Sequence, residues 1–277
     1  MLKNFITRAA TGLIFVLIII GSIIFSPYSF ICLFALITAF MLYEFYYLAE
    51  NHYTQHINIP LNIFGGIILF LSTASFAMGI TCLEIFLFYV FFIIINFIIG
   101  LYRKNGDPII KWALSIIGQI YIALPISLLN FIAFKDVAEI HQYNYIPLLS
   151  LFVFIWLNDT GAYLIGSSIG RNRLFERISP KKSWEGFFGG MLFSILGGLV
   201  FSHFFSIFNI YQWIGLSLVI SVFSTWGDLT ESLLKRTFGV KDSGNILPGH
   251  GGFLDRFDSV LIAGPAVLIY LYLAAGY

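Results

Sequence analysis

KDSGNILPGHGGFLDRFDSVLIAGPAVLIYLYLAA, residues 241–275, joins two unlike halves. The first half carries Lys241, Asp242, His250, Asp255, Arg256 and Asp258. The second, residues 260–275, carries no charge at all. A continuous apolar run does not read as a half-buried strand, which would alternate. At 16 residues, or 18 with Gly276 and Tyr277, it reads as a helix long enough to cross a bilayer. The charge therefore stands at the end of a membrane span, where an ionised group is costly unless it is paired or used.

The rest of the chain repeats the apolar half. Of its 277 residues, 59% are hydrophobic, 18% aromatic and only 10% charged. The mean hydropathy of +0.90 is outside the range of soluble domains. In lipid the backbone must satisfy itself, which leaves helices or a closed barrel, and unbroken apolar runs select helices. The expected fold is all-α: a polytopic transmembrane helical bundle of about nine spans. They lie near residues 9–25, 30–48, 61–80, 83–101, 109–134, 146–167, 187–205, 211–227 and 260–277. Lys3 and Arg8 precede the first run as in a signal peptide. Its length, the lack of a small-x-small cleavage site and the spans after it make it an uncleaved anchor.

Charge orients the bundle. With nine spans, all of the 15 Lys and Arg residues except Lys135 fall on one side. The positive-inside rule then places the N-terminus and the large polar loops in the cytoplasm. The two cysteines, Cys32 and Cys82, lie in apolar runs and offer no disulfide framework. Residues 1–145 are mostly plain spans and form a scaffold region. Residues 146–277 carry the unusual polar clusters and form the catalytic region, its active site on the cytoplasmic face.

Four clusters stand out there. In WLNDTGAYLIGSSIGRNR, residues 156–173, Asp159 interrupts an apolar run. It either lines a functional cavity or pairs with Arg171 or Arg173 near the interface. The glycines of this stretch lack the spacing and the Lys-Ser/Thr end of a nucleotide P-loop. In RISPKKSWEGFFGG, residues 177–190, Ser179 is a good N-cap and Pro180 suits the first helical position. Lys181 and Lys182 would then sit in a first turn, the wrong charge for a helix N-terminus unless an anion binds there. The plain alternative is that both lysines mark the cytoplasmic edge of the membrane. Glu185 is a weaker candidate, as a partner for a lysine.

In WGDLTESLLKR, residues 226–236, Asp228 and Glu231 share a helical face, and Lys235 follows Glu231 by four. An ordinary Glu–Lys pair explains Glu231 and leaves Asp228 unexplained. In the opening stretch Asp255 and Asp258 again share a face, at a helix start where acids are at home. The LPGHGG before them makes a turn where backbone comes close to a ligand. His250 is an acid, a base or a phosphate donor, or else structural. Carboxylates beside lysines, arginines and Gly-rich turns suit Mg²⁺ with phosphate groups. The residues alone thus point to an integral membrane enzyme acting on a phosphate-bearing lipid, without naming the nucleotide.

SLLKRTFGVKDSGNILPGHGGFLDRFD, residues 232–258, resembles the signature of the phosphatidate cytidylyltransferases, also called CDP-diacylglycerol synthases. The pattern is Ser-x-apolar-Lys-Arg, then Lys-Asp, then Pro-x-His-Gly-Gly-apolar-x-Asp-Arg-apolar-Asp. NDTGAYLIG and SPKKSWEG resemble further blocks of that family, with Ser183 where threonine is common. The resemblance is specific over residues 158–259 and generic elsewhere.

It implies a reaction in which CTP and phosphatidate give CDP-diacylglycerol and pyrophosphate in phospholipid biosynthesis. It implies a catalytic set of Asp228, Asp255, Lys235, Arg256 and His250. The implied substrate-binding set is Asp159, Ser179, Lys181, Lys182, Arg236, Lys241, Asp242, Gly251 and Gly252. Asp228, Asp255 and Asp258 would hold Mg²⁺, with a second cation left open. The expected location is the bacterial inner membrane; no nucleic-acid partner is expected, and a homodimer is left open. A CTP-dependent lipid kinase, or a cytidylyltransferase for another lipid phosphate, is the rival of the same chemical class. A cation-coupled transporter is the rival of another class, but it calls for mid-span acids and repeated halves. His52 and His56 have helical metal spacing but no third ligand. Glu44, Glu84 and Asn96 are expected to pair within the bundle.

Overall fold

The structure is a computed structural model that describes residues 2–102, 106–137, 140–244 and 251–276. It is built from α-helices, with two short hairpins. In chain order the helices are α1 (Leu2–Phe25), α2 (Pro27–Tyr53), α3 (Ile59–Ala77), α4 (Leu87–Tyr102), α5 (Pro108–Gly118) and α6 (Leu124–Ala133). They continue as α7 (Tyr145–Ile169), α8 (Trp184–Phe204), α9 (Ile210–Thr237) and α10 (Leu254–Ala274). Strands β1 (Phe134–Val137) and β2 (Ile140–Tyr143) pair antiparallel, as do β3 (Arg173–Phe175) and β4 (Ser179–Ser183). Among the described residues, eight helical segments are long and apolar enough to cross a membrane, and Thr11–Phe25 of α1 is a shorter apolar helix. The protein is an integral, multi-pass membrane protein.

The chain divides into two compact units. One comprises residues 1–145 and 237–257; the other comprises residues 146–236 and 258–277.

In the first unit α2 is central and buries Phe30, Phe34, Ile37, Met41, Leu42, Phe45 and Tyr46. Glycines let its neighbours approach: a Cβ on Gly66 of α3 would meet Leu42, and one on Gly65 would meet the Phe92 ring of α4. Small residues at such crossings are how helices pack closely in lipid. Between α5 and α6 runs one π turn, Gln119–Ala123, closed by Leu124 N–H donating to the Gln119 carbonyl. That turn carries Gln119, which donates to the Tyr46 hydroxyl at 3.1 Å and the Asn62 carbonyl at 2.8 Å. Tyr46 in turn donates to the Ser115 carbonyl at 2.7 Å. Gln119 and Tyr46 thereby find partners at membrane depth, where no water is available to supply them. Asn96 donates to Asn62 at 3.0 Å, a pairing within the bundle. The segment after α9 docks here too: Phe238 meets Phe45, His52 and Tyr53, and Phe253 stacks flat on Phe40 at 5.0 Å.

In the second unit α8 presents a glycine-rich face. A Cβ on Gly186, Gly189, Gly190 or Gly197 would strike α7, and one on Gly198 would strike α9. Asn158 of α7 links to α9, accepting from Ser221 Oγ at 2.6 Å and donating to Ser224 Oγ at 3.3 Å. Trp213 is fully buried among Phe154, Phe201 and Phe208.

The start of α8 differs from the sequence expectation. Ser179 does not cap it, and Lys181 and Lys182 do not lie in its first turn. Residues Ser179–Ser183 form β4, in register with β3 at Phe175↔Ser179 and Arg173↔Ser183. The cap is Ser183, whose Oγ accepts from Gly186 N–H at 3.1 Å. This placement removes the charge conflict. The first turn of α8 now holds Glu185, the sign that suits a helix N-terminus.

Candidate functional site

A cavity of about 540 Å³ opens in the second unit, between α7, α8, α9 and the β3–β4 hairpin. Asp159 and Tyr163 face it from α7, Arg173 from β3, Lys181 and Lys182 from β4, and Thr225 and Asp228 from α9. Gly166, Gly170 and Gly186 line its floor. Gly166 and Gly186 nearly touch: a Cβ on the first would lie 3.4 Å from the Cα of the second. The close crossing of α7 and α8 brings the hairpin beside α9.

Lys182 Nζ lies 2.6 Å from Asp228 Oδ2, and both side chains remain about a quarter to a third exposed. Ser232 Oγ donates to Asp228 Oδ1 at 3.2 Å, from the next turn of α9. Asp258 stands in the same unit, within electrostatic range of Asp228, Asp159 and Lys182. Its Oδ1 accepts from the Ser259 N–H at 2.6 Å. A Cβ on Gly227 would meet the Asp258 carbonyl at 2.6 Å, so glycine there lets α9 and α10 meet beside the two acids. Three carboxylates and three cations thus gather around one cavity region. Glu185 does not pair with a lysine in these contacts. It accepts from the Arg171 and Asn172 N–H groups, each at 3.2 Å, and so holds the turn that leads into the hairpin.

Other candidates lie elsewhere. Lys235 is not at the cavity lining; it pairs with Glu231, whose side chain is fully buried. The pair is therefore an interior one, not an interfacial helix pair. Arg236 is exposed at the end of α9, and Ser179 is half-buried on β4. Lys241, Asp242 and Arg256 are exposed on the first unit. His250 lies outside the described residues.

Asp255, Gly251 and Gly252 belong to the first unit and share one turn. Asp255 Oδ2 accepts from Gly252 N–H at 2.8 Å and Ser243 N–H at 2.9 Å, and lies 3.0 Å from Ser243 Oγ. Gly251 has φ +78°, a left-handed conformation that glycine adopts without strain. The backbone donors of this turn face side chains of the chain itself.

Among the described residues no three Asp, Glu, His or Cys side chains converge into a ready-made metal site. Mg²⁺ usually takes one or two carboxylates and completes its shell from substrate phosphates and water. Asp228 and Asp258 supply such hard oxygen donors.

Sequence reasoning missed Arg173 and Asn158. In the sequence Arg173 stands out only as a partner for Asp159, and the hairpin register that turns it to the cavity has no strong pattern in so short a strand. Asn158 precedes Asp159 and was overshadowed by its charge; an amide beside an acid in an apolar run was the available signal.

A many-helix membrane protein with a charged cavity between its helices is the class that fold and site define. The chain belongs to the cytidylyltransferase family, whose model matches residues 6–274. It is 50% identical over 126 residues to a phosphatidate cytidylyltransferase of Staphylococcus aureus (strain COL), a match covering 45% of this chain and 48% of that protein. It is 51% identical over 125 residues to the protein of the same name in Staphylococcus epidermidis (strain RP62A), with the same coverage. A Staphylococcus haemolyticus protein of that name is 48% identical over 126 residues. The chain spans about half the length of the curated relatives it matches.

Proposed function

We propose that this protein is a membrane-embedded, Mg²⁺-dependent nucleotidyltransferase that makes CDP-diacylglycerol and pyrophosphate from CTP and phosphatidate. The observation that carries the reading is the Lys182–Asp228 pair at a cavity also lined by Lys181, Arg173 and Asp159. Family membership and the names of the relatives support it. The basic loops face the cytoplasm of a bacterial cell, where CTP is made.

A phosphatidate oxygen attacks the α-phosphorus of CTP. The new P–O bond forms as the bond to the β-phosphate bridging oxygen breaks, and pyrophosphate leaves. Both reactants are anions, so their repulsion is part of the barrier. Lys181, Lys182 and Arg173 lower it by holding phosphate oxygens with charge-assisted hydrogen bonds. Phosphatidate is already anionic, so no strong general base is required. Asp228 and Asp258 are the carboxylates that would hold Mg²⁺ in the second unit, and Asp255, one turn back on α10, is the further acid of the signature. Mg²⁺ there would neutralise charge on the phosphates and polarise the α-phosphate. The lipid tails stay in the bilayer while the headgroup enters the cavity.

The test is label transfer. Purified protein in detergent is given phosphatidate, Mg²⁺ and CTP labelled at either the α- or the γ-phosphorus. Lipid labelled only from the α-position supports the proposal. Lipid labelled from the γ-position makes the protein a kinase instead.

A further inference from the structure

Glu44 lies in the middle of α2, far in sequence from every motif singled out above, and is 2% exposed. A buried carboxylate inside a membrane span is costly unless strong donors surround it. Three do. Phe253 N–H donates to Oε1 at 2.9 Å, Leu254 N–H to Oε2 at 2.9 Å, and Ser243 Oγ to Oε2 at 3.0 Å. The two N–H groups belong to the start of α10, where backbone donors have no partner within the helix. The negative side chain also faces the positive end of that helix dipole.

The glycines of the turn make room for this carboxylate. A Cβ on Gly252 would sit 2.3 Å from Glu44 Oε2, and one on Gly244 would sit 2.8 Å from Oε1. On the other side of Ser243, Asp255 takes the Ser243 and Gly252 N–H groups. Two carboxylates with Ser243 between them thus satisfy the backbone N–H groups of residues 243, 252, 253 and 254. Glu44 reaches both Ser243 and Leu254.

We propose that Glu44 is a positioning residue. It supplies the anion on which the first turn of α10 is built, and so sets the direction of Asp255 and Arg256. The catalytic consequence rests on the function proposed above; the positional one does not. Glutamine has nearly the same shape but places an NH₂ either where the Phe253 N–H donates or where the Leu254 N–H and the Ser243 hydroxyl donate. Aspartate keeps the charge one methylene short.

The experiment compares Glu44→Gln and Glu44→Asp with the parent, all purified in detergent and checked for folding by thermal unfolding. The first readout is amide hydrogen exchange. In Glu44→Gln the amides of Phe253 and Leu254 exchange faster, while amides later in α10 keep their protection. The second is steady-state kinetics per folded molecule. In Glu44→Gln kcat falls roughly 10–100-fold, the range for losing an orienting partner behind a site, with KM for CTP little changed. Glu44→Asp recovers part of the loss. Parental exchange at those two amides in Glu44→Gln overturns the proposal, whatever the activity. Parental kcat per folded molecule, in a parent that does make CDP-diacylglycerol, overturns its catalytic half. A parent that transfers no label overturns the proposed function instead and leaves exchange to decide the role of Glu44.

Discussion

Lys182 Nζ sits 2.6 Å from Asp228 Oδ2, joining a strand of the β3–β4 hairpin to the helix α9. Both partners are partly exposed, so the pair adds little to stability, about 0–1 kcal/mol for pairs of this kind. Its proposed use is chemical: one partner meets phosphate and the other meets the metal. Asp228→Asn is therefore expected to unfold at nearly the parental temperature. Its turnover should fall about 10³-fold, the equivalent of roughly 4 kcal/mol of lost charge stabilisation. Lys182→Gln should also fold and lose activity. Thermal unfolding and kcat on the same preparations check both; a stability loss with parental turnover contradicts the assignment.

Glu231 and Lys235 form the opposite kind of pair. Glu231 is fully buried and the Lys235 side chain is 14% exposed. Removing one member of a buried pair strands the other charge, at about 3–5 kcal/mol. Glu231→Gln is expected to lower the unfolding temperature by several degrees and the yield of folded protein. Turnover per folded molecule should stay near the parent's, because Glu231 does not line the cavity.

The helices were legible in the sequence because twenty apolar residues in a row leave the backbone few options. Asp159, Lys181, Lys182 and Asp228 were legible for the same reason: polar groups in an apolar chain stand out, and the structure gathers these four around one cavity. What could not be read was local geometry set by tertiary contact. Ser179-Pro180 carries the pattern of a helix start, yet pairing with β3 holds it as a strand and moves the cap to Ser183. The apolar span expected near residues 211–227 lies within α9, which runs on to Thr237 and so keeps Asp228, Glu231 and Lys235 on the helix their spacing implies. The Gly251–Gly252 turn was read as facing a ligand, whereas its room is taken up by Glu44 and Asp255. Glu44 was expected only to pair within the bundle, and nothing in α2 points to a partner some two hundred residues away.

Orientation in the membrane can be tested at the β3–β4 hairpin. Glu176 is exposed at its turn and is not among the residues lining the cavity of the second unit. Cys32 and Cys82 are both exposed, so both must first be replaced. A Glu176→Cys probe in that background should resist an impermeant thiol reagent added outside intact cells and react once the cells are opened. Labelling from outside would reverse the cytoplasmic assignment of the basic loops.

The last prediction concerns Gly227, which precedes Asp228 on α9 and packs against α10. A Cβ there would lie 2.6 Å from the Asp258 carbonyl, 2.9 Å from Ser259 Cα and 3.0 Å from the Ser259 carbonyl. All three neighbours are backbone, which cannot swing aside as a side chain can. Gly227→Ala must therefore push α9 and α10 apart beside Asp228 and Asp258. Overpacking of this kind costs roughly 1–3 kcal/mol, so the protein should fold with a lowered unfolding temperature. The carboxylates would also separate, and a displacement near 1 Å in a catalytic constellation costs on the order of 10²-fold in rate. Gly21→Ala is the control, because a Cβ on Gly21 meets nothing within 4 Å. It should keep both stability and turnover. If Gly227→Ala lost stability while each folded molecule turned over like the parent, the spacing of Asp228 and Asp258 would not matter to the reaction. The two acids would then not act together on one metal-bound phosphate.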